Sequence, residues 1–262
     1  MAMEMIHADA HGNDFLLVNE ADVPPGTDRG ALARRVCLRT PGPGADGLIF
    51  YTHGVSSTRM QLRNADGSYS EVSGNGVRCL GASIAERRNL ADGAQITIDT
   101  DAGAKVLTLL ERAGRRFRFR TSMGHPINIR RLILDVGGQP VNIATLNVGN
   151  PQCVVLDRCD DASLRQLGGA LAVHPHFPEG TNVEFLRVDR PDHLTILIWE
   201  RGVGPTASSG TGTCAAAVAA ACFAGARRDV EVTAPGGTQR VEWRDDGLWL
   251  TGWAEVMSET AI

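Results

Sequence analysis

The sequence contains a single lysine, since Lys105 is the only one among its 26 basic residues. Enzymes that use pyridoxal phosphate hold the cofactor as a Schiff base on a lysine, so this chain could do so only through Lys105. That residue lies in the segment AGAKVLTLL, whose alternation and β-branched residues are typical of an ordinary strand. The sequence therefore gives no indication of a cofactor bound through a lysine.

An excess of positive charge is also missing. Thirty acidic residues against 26 basic ones give a formal net charge of −4 and a pI near 6.0, so no positive field attracts a nucleic-acid backbone. The longest apolar stretches, such as 213–224, are well short of the roughly 20 residues that span a bilayer. Residues 1–11 carry no basic flank and no long apolar block, which argues against a signal peptide. We expect a cytoplasmic protein with no nucleic-acid or membrane partner.

The cysteines lack any metal-binding or disulfide pattern. They form no CxxC pair and show no repeated spacing, so neither a zinc site nor a disulfide framework is indicated. His174 and His176 lie close together in HPHFPEG, but a pair in a loop flanked by prolines is more often solvated than metal-bound. We expect no metal site and six reduced thiols. The cysteines are Cys37, Cys79, Cys153, Cys159, Cys214 and Cys222.

What the chain does contain is an internal repeat. Its 262 residues, 43% hydrophobic and 21% charged, allow one large domain or two of about half the chain each. The segments SGNG at 73–76 and SGTG at 209–212 lie 136 residues apart. The same separation relates Gly44 to Gly180 and Asn64 to Glu200, and one of 137 relates GN at 12–13 to GN at 149–150. Four features in one register predict two structurally equivalent halves.

Each half has more predicted strands than helices. One helix per half follows the glycine segment, at 77–88 and at 213–224, and the second is apolar all round and ends at Gly225. A helix of this kind is buried, so each half should wrap strands around its own helix. We predict an α/β (α+β) fold of two pseudo-symmetric halves, each a strand-rich layer around a central buried helix. The active site is expected in the cleft between the halves.

The boundaries follow from the repeat. The first half is predicted at 1–120 and the second at 121–262, with the crossover near 118–138 and the option that a C-terminal segment returns to the first half.

The glycine segments stand where each central helix begins. The first N–H groups of a helix have no intrahelical partner, and the helix dipole adds positive potential there, so each half offers a site for a carboxylate or phosphate. The alternative is that the glycines only allow a tight turn between strand and helix. Two such segments in repeat register favour the anion site, with Ser73 and Ser209 on opposite sides of one shared ligand.

Eight segments, in the same order and over nearly the whole chain, resemble those of the diaminopimelate epimerase family. They are GNDF (12–15), GADGL (44–48), NADGS (64–68), SGNGVRC (73–79), GNPQCVV (149–155), GTNVEF (180–185), ERGVGPT (200–206) and SGTGTCAA (209–216). Any one of these segments alone is weak evidence for the family, whereas the eight together are specific to it. The resemblance implies a cofactor-independent amino-acid epimerase with two homologous α/β halves, acting on a small amino-acid substrate in lysine biosynthesis.

The resemblance also implies roles for individual residues. The backbone around Gly74, Asn75, Gly210 and Thr211 would hold the reacting carboxylate of the substrate. Six further residues, all matching the family, would hold the distal amino-acid end. These six are Asn13, Asn64, Asn150, Asn182, Glu200 and Arg201.

The sequence departs from the family pattern at the positions that take part in proton transfer. The family's two cysteines, which remove and return the α-proton on opposite faces, fall at Ser73 and Ser209, the candidate catalytic residues. A serine hydroxyl needs a stronger activating partner than a thiol does. Gln152 occupies the position of the family's histidine that assists deprotonation. Pro205 occupies the position of the family's glutamate in the last loop region. These two further changes favour a naturally diverged branch over an engineered inactivation.

Three functions remain open on the sequence. The first is an epimerase of diaminopimelate or a close relative, with the serines carrying protons directly or through water. The second is an isomerase or lyase of the same fold on another amino acid, and the third is a catalytically silent amino-acid binder. Retention of the residues for the distal end favours the first substrate class. The oligomeric state is open, with a homodimer as one expectation.

Cys79 and Cys214 could be suspected of replacing the missing thiols. They lie six and five residues beyond the serines, inside the predicted helices and not at their starts. We therefore expect them to act as small apolar residues in packing.

Overall fold

The computed structural model describes residues 3–261, which divide into two compact units. Unit 1 comprises residues 3–121 and 252–261, and unit 2 comprises Ser122–Thr251. The predicted division lay at 120/121. The chain enters unit 2 inside the strand Arg116–Gly124 and returns to unit 1 inside the strand Gly247–Ala261. Most of the predicted crossover, 118–138, lies in the first of these strands and in the next one, Ile127–Val136.

The helices and strands are numbered in chain order. The strands are β1 (Glu4–Ala10), β2 (Asn13–Asn19), β3 (Gly47–His53), β4 (Thr58–Asn64), β5 (Tyr69–Ser70), β6 (Gln95–Thr100), β7 (Gly103–Ala113), β8 (Arg116–Gly124), β9 (Ile127–Val136), β10 (Gln139–Asn147), β11 (Pro151–Val155), β12 (Asn182–Arg190), β13 (His193–Glu200), β14 (Gly204–Thr206), β15 (Asp229–Ala234), β16 (Gly237–Arg244) and β17 (Gly247–Ala261). The helices are α1 (Arg29–Val36), α2 (Gly74–Arg87), α3 (Asp161–Ala172) and α4 (Gly210–Phe223).

In unit 1 the strands form a closed ring. The order of neighbours is β1, β2, β3, β4, β6, β7, β8 and β17, and β17 pairs back with β1. The pairs β2–β3 and β4–β6 are parallel, and β5 adds to β4. A closed sheet leaves no unpaired edge and encloses an apolar interior.

Helix α2 fills the interior of unit 1. Its residues Val77, Leu80 and Ile84 pack in one apolar cluster with Phe117 and Phe119 of β8. Helix α1 packs in a second cluster with residues of β2 and β3. Burial of each large apolar side chain contributes roughly 1.5–3 kcal/mol, so α2 anchors the unit.

Unit 2 has a similar order of strand pairings around its own central helix. Its strands pair in the order β9, β10, β11, β12, β13, β15, β16 and β17, with β11–β12 and β13–β15 parallel and β14 beside β13. Helix α4 is buried from Gly210 to Ala220 in a cluster of apolar residues, and α3 packs in a separate cluster. No helix of the described chain, 3–261, has the length and apolar character to cross a membrane.

The structure confirms the predicted fold class and corrects its helices. Both central helices begin three residues earlier than predicted, because the glycine segments form their first turns. Each unit also has a second helix, α1 or α3, which the sequence analysis missed because neither is strongly apolar. Gly225 follows the end of α4 with φ +74°, as expected for a glycine that ends a helix.

Candidate active site

Ser73 caps the central helix of unit 1. Its backbone is extended (φ −127°, ψ 124°), and its Oγ accepts a hydrogen bond of 3.1 Å from the N–H of Gly76. Gly74, Asn75 and Gly76 are therefore the first helical turn, and not a loop that precedes the helix. A serine in this position satisfies one of the N–H groups that the helix leaves without a partner.

Ser209 does the same in unit 2. Its backbone angles are φ −142° and ψ 126°, and its Oγ accepts from the N–H of Gly212 at 3.1 Å. The side chain of Thr213 donates to the Ser209 carbonyl at 2.6 Å, and only 4% of Ser209 is exposed. The two serines are thus equivalent in local geometry, and the first two residues of each helix, Gly74 and Asn75 or Gly210 and Thr211, lie beside them.

An asparagine from a neighbouring segment contacts each first turn. In unit 1 the Asn75 side chain donates to Asn13 Oδ1 at 3.1 Å. In unit 2 the Asn150 side chain donates to Thr211 Oγ1 at 3.4 Å. Asn13 and Asn150 are repeat partners, so the structure brings the same two predicted residues together in each unit.

An ionic cluster of two partly buried aspartates and an exposed arginine holds Asn13 in place. Asp46 accepts from the Asn13 side chain at 2.8 Å, and Arg39 binds both Asp14 (2.9 Å) and Asp46 (2.9 Å). Burial raises the pKa of Asp46. Burial also opposes ionisation of Asp14, but hydrogen bonds from His7 and Arg39 outweigh it and hold the pKa of Asp14 well below its ordinary value. Both aspartates lie in segments that resemble the family, GNDF and GADGL, although the resemblance implied no role for them.

The remaining predicted residues lie at strand ends. Asn182 Oδ1 accepts from the backbone N–H of Arg201 at 2.9 Å, and the Arg201 guanidinium donates to the Glu179 carbonyl at 3.0 Å. Arg201 and Glu200 are half-buried, and Arg201 lines a cavity of about 680 Å³ in unit 2 that Pro205 also lines. Asn64 ends β4 and donates to Ser68 Oγ at 2.9 Å.

Comparisons with known proteins identify the family of this chain. A family model for diaminopimelate epimerase matches residues 7–128 and 144–260. The diaminopimelate epimerase of Desulforudis audaxviator (strain MP104C) is 41% identical over 271 residues, covering 97% of this chain and 96% of its own. That of Desulfitobacterium hafniense (strain DSM 10664 / DCB-2) is 35% identical, covering 95% and 94%. This chain belongs to the diaminopimelate epimerase family.

Solved structures of other proteins have a similar fold. A probable proline racemase from Agrobacterium radiobacter K84, solved with bound carbonate, superposes with a TM-score of 0.78 at 16% identity, covering 99% of this chain and 92% of its own. As a member of the diaminopimelate epimerase family, this chain is an amino-acid epimerase of the type that works without pyridoxal phosphate. Lys105 lies in β7 and is 5% exposed, which confirms the predicted strand.

Glu184 is a site residue that the sequence analysis missed. It is fully buried on β12, where its carboxyl lies beside the first turn of α4 and the side chain of Gln152. Burial, with a smaller contribution from Glu200, raises its pKa well above the ordinary value. A signal was present, because a lone glutamate stands among apolar residues in NVEFL.

Proposed function

We propose that this protein epimerises an α-carbon of diaminopimelate, with Ser73 and Ser209 as the proton-transfer residues. The observation that carries the proposal is the equivalence of the two serines in a member of this family. Each caps a buried helix and accepts from a glycine N–H at 3.1 Å. A two-base epimerase needs one such group for each face of the α-carbon.

The backbone N–H groups at the two helix starts suit the reacting carboxylate. The cap serines occupy the N–H groups of Gly76 and Gly212, and a helix provides no acceptor for the groups of its first residues. Gly74, Asn75, Gly210 and Thr211 are the residues we assign to this carboxylate. Negative charge at these points is favoured by the helix dipole, which also stabilises the charge that develops when the α-proton leaves.

The distal end of the substrate is an amino acid with one charge of each sign. Arg201 and Glu200, adjacent and half-buried, offer the matching charges. Asn182 fixes the backbone of Arg201. We assign Asn13, Asn64 and Asn150 to the same task of holding the substrate, in the positions where the family resemblance puts them.

One observation supports a second candidate, an amino-acid binder without turnover. Within residues 3–261, no histidine or carboxylate forms a hydrogen bond to the Oγ of either serine, while Gln152 and Pro205 hold no titratable group. A serine with its ordinary high pKa is a poor base without such a partner. The epimerase proposal therefore expects slow proton transfer.

The test is α-proton exchange. The protein is incubated with LL-diaminopimelate in D₂O, and the recovered amino acid is examined for α-deuterium by mass spectrometry and for the meso isomer by chiral chromatography. We expect both products to form, and the double variant Ser73→Ala, Ser209→Ala to form neither while still binding the ligand.

The other outcomes separate the alternatives. Binding without exchange would identify the silent binder. If LL-diaminopimelate neither bound nor exchanged, another amino acid would have to be the substrate, and unchanged exchange in the double variant would remove the serines from the mechanism.

A further inference from the structure

Glu184 is a buried acid that the proposed mechanism leaves unused. Its Oε1 lies so close to the first turn of α4 that a Cβ added to Gly212 would clash with it. Gly212 is the residue whose N–H is bound by Ser209, so the carboxyl adjoins the cap of the helix. Glu184 itself is fully buried.

Unit 1 shows that the fold has no need for polar groups here. Strand register aligns Phe15 and Gly47 of β2 and β3 with Gln152 and Asn182 of β11 and β12. Counting from these pairs, Ile49 takes the place of Glu184, one residue out of step with the 136-residue spacing between Gly44 and Gly180. Ile49 Cδ1 lies 3.0 Å from the Cβ position of Gly76, as Glu184 Oε1 lies beside that of Gly212. The apolar pair Phe15 and Ile49 is therefore replaced in unit 2 by an amide and an acid.

The surroundings of Glu184 offer no cation. Within the described residues it forms no ion pair, and the titratable groups facing it are Glu200 of β13 and the thiol of Cys153 on β11. Helix α4 carries no charged residue. Burial followed by Glu200 raises the pKa of Glu184, and an isolated ionised carboxylate in such a place would be costly.

The contacts of the Gln152 amide bear on whether Glu184 is protonated or ionised. One end of the amide lies 2.9 Å from Glu184 Oε1, and the other lies 2.5 Å from Asn150 Oδ1 and 3.2 Å from Thr211 Oγ1. If Nε2 faced an ionised Glu184, the amide oxygen would meet Asn150 Oδ1, and two acceptors would oppose each other. If Nε2 faces Asn150, the amide oxygen needs a hydrogen from Glu184. With Asn150 Oδ1 facing Gln152, as in this structure, a protonated Glu184 satisfies both ends of the amide. An ionised Glu184 would require both amides to be turned end for end, and it would leave a buried negative charge with no cation beside it among the described residues.

We infer that Glu184 is a neutral carboxylic acid that donates to Gln152 Oε1 and so acts as a positioning residue for the α4 end of the site. The Gln152 amide then donates to Asn150 Oδ1, and Asn150 in turn donates to Thr211. The chain of hydrogen bonds ends 3.5 Å from Ser209 Oγ, at the hydroxyl of Thr211. The importance of this chain for substrate binding rests on the proposed function, whereas its protonation state does not.

The protonation state is tested on the ligand-free protein. Infrared difference spectra at pH 7 compare the wild type with Glu184→Gln, which keeps the shape and a donor for Gln152. We expect the carbonyl band of a protonated carboxylic acid in the wild type and its loss in the variant. Glu111→Gln, at an exposed position on β7, is the matched control and should keep the band.

Positioning is tested with Glu184→Ile, which installs the residue of unit 1. This variant leaves Gln152 Oε1 buried without a donor, so the side-chain amide signals of Gln152 and Asn150 should shift in NMR spectra, while Glu184→Gln leaves the Asn150 signal in place. For LL-diaminopimelate we expect the Kd of Glu184→Ile to rise about tenfold and that of Glu184→Gln to stay near the wild-type value.

Absence of the protonated band from the wild type at pH 7 would overturn the inference, and so would an Asn150 signal unmoved by Glu184→Ile. If the wild type fails to bind LL-diaminopimelate, the proposed function fails, but the infrared and NMR results still decide the state of Glu184. Should Glu184→Ile not fold, the spectra of Glu184→Gln alone decide it.

Discussion

Each of the two serines has a structural task beside its proposed chemical one. A serine Oγ that accepts from a helix N–H stabilises the helix by about 1 kcal/mol, and sulfur accepts hydrogen bonds only weakly. Replacing Ser73 or Ser209 by cysteine therefore exchanges part of a helix cap for a more acidic proton carrier. Such a replacement should lower the free energy of unfolding and raise the rate of proton transfer. The structural role and the chemical role of each serine can therefore be measured separately.

The first prediction concerns restored thiols. The triple variant Ser73→Cys, Ser209→Cys, Gln152→His should speed α-proton exchange of LL-diaminopimelate, because a thiolate forms more readily than an alkoxide and a histidine supplies a base. A single general acid or base is worth roughly 10²–10⁴ in rate. Deuterium incorporation measures the gain, and Ser83→Cys, buried further along α2, is the control. A triple variant that binds the ligand yet exchanges no proton would contradict the assignment of the serines.

The second prediction concerns the native cysteines. Cys79 and Cys153 are fully buried, and burial raises the pKa of both thiols well above the ordinary value. At pH 8 they should resist iodoacetamide, since the thiolate is the reactive form. Cys222 is exposed and should be labelled first, with any epimerase activity retained. Peptide mapping by mass spectrometry follows the order of labelling, and rapid loss of activity on labelling of Cys79 would show that a cysteine had taken over from a serine.

At the scale of elements, the two central helices begin alike but meet different neighbours. In unit 1 the first turn of α2 packs on the flexible ends of Ile49 and Met60, at 3.0 and 3.2 Å from the Cβ position of Gly76. In unit 2 the first turn of α4 packs on the carboxyl of Glu184, which the hydrogen bond we infer to Gln152 would hold in place. The same glycine is therefore more strictly required in α4.

The third prediction follows from this difference. Gly212→Ala should lower the free energy of unfolding by about 1–3 kcal/mol, as expected for overpacking at a site that cannot give way. Gly76→Ala is the matched control and should cost less, because methyl groups can shift and alanine favours the helix. Denaturant unfolding measures both variants. An equal cost at the two positions would mean that Glu184 yields as easily as Ile49.

At the scale of the whole molecule, Glu184 and Asp14 are two of the groups through which stability depends on pH, and their pKa values are shifted in opposite directions. The raised pKa of Glu184 means that the folded protein keeps a proton that the unfolded chain releases above its ordinary value of 4.5, so stability falls as pH rises from there. The lowered pKa of Asp14 stabilises the fold above its ordinary value of 3.8, and that stability is lost as pH falls below it.

The fourth prediction uses this contrast. Between pH 5 and 7, the Tm of Glu184→Gln should rise relative to that of the wild type, with a difference in stability that grows by at most about 1.4 kcal/mol per pH unit. Below the ordinary value of Asp14, both proteins should lose stability together. Thermal unfolding across the pH range gives both curves. Parallel curves above pH 5 would show that Glu184 titrates normally.

The fifth prediction concerns ligand binding. LL-diaminopimelate at 100 times its Kd should stabilise the fold by about 2.7 kcal/mol, because a ligand that binds only the folded state shifts the unfolding equilibrium. Arg201→Ala should remove most of this shift by removing the proposed partner of the distal carboxylate. Arg187→Ala, at an exposed arginine on β12, is the control. A Tm that millimolar ligand leaves unchanged in the wild type would contradict the proposed substrate.

The sequence by itself determined the repeat, the strand-rich halves and the two buried helices, because hydrophobic pattern and glycine placement are local signals. It also determined that Ser73 and Ser209 stand in equivalent places, since equal spacing within a repeat needs no coordinates. Helices α1 and α3 were not predicted from the sequence, because neither has the strongly apolar character that indicates a buried helix.

Only the tertiary structure decided the surroundings of the serines. The glycine segments are first helical turns, which the cap hydrogen bonds from Gly76 and Gly212 establish. Glu184 became a member of the site because parallel pairing of β11 and β12 places it beside Gln152 and against α4, contacts between residues about 30 positions apart. The pKa of such a group is set by burial and by neighbours distant in sequence, which no local pattern encodes.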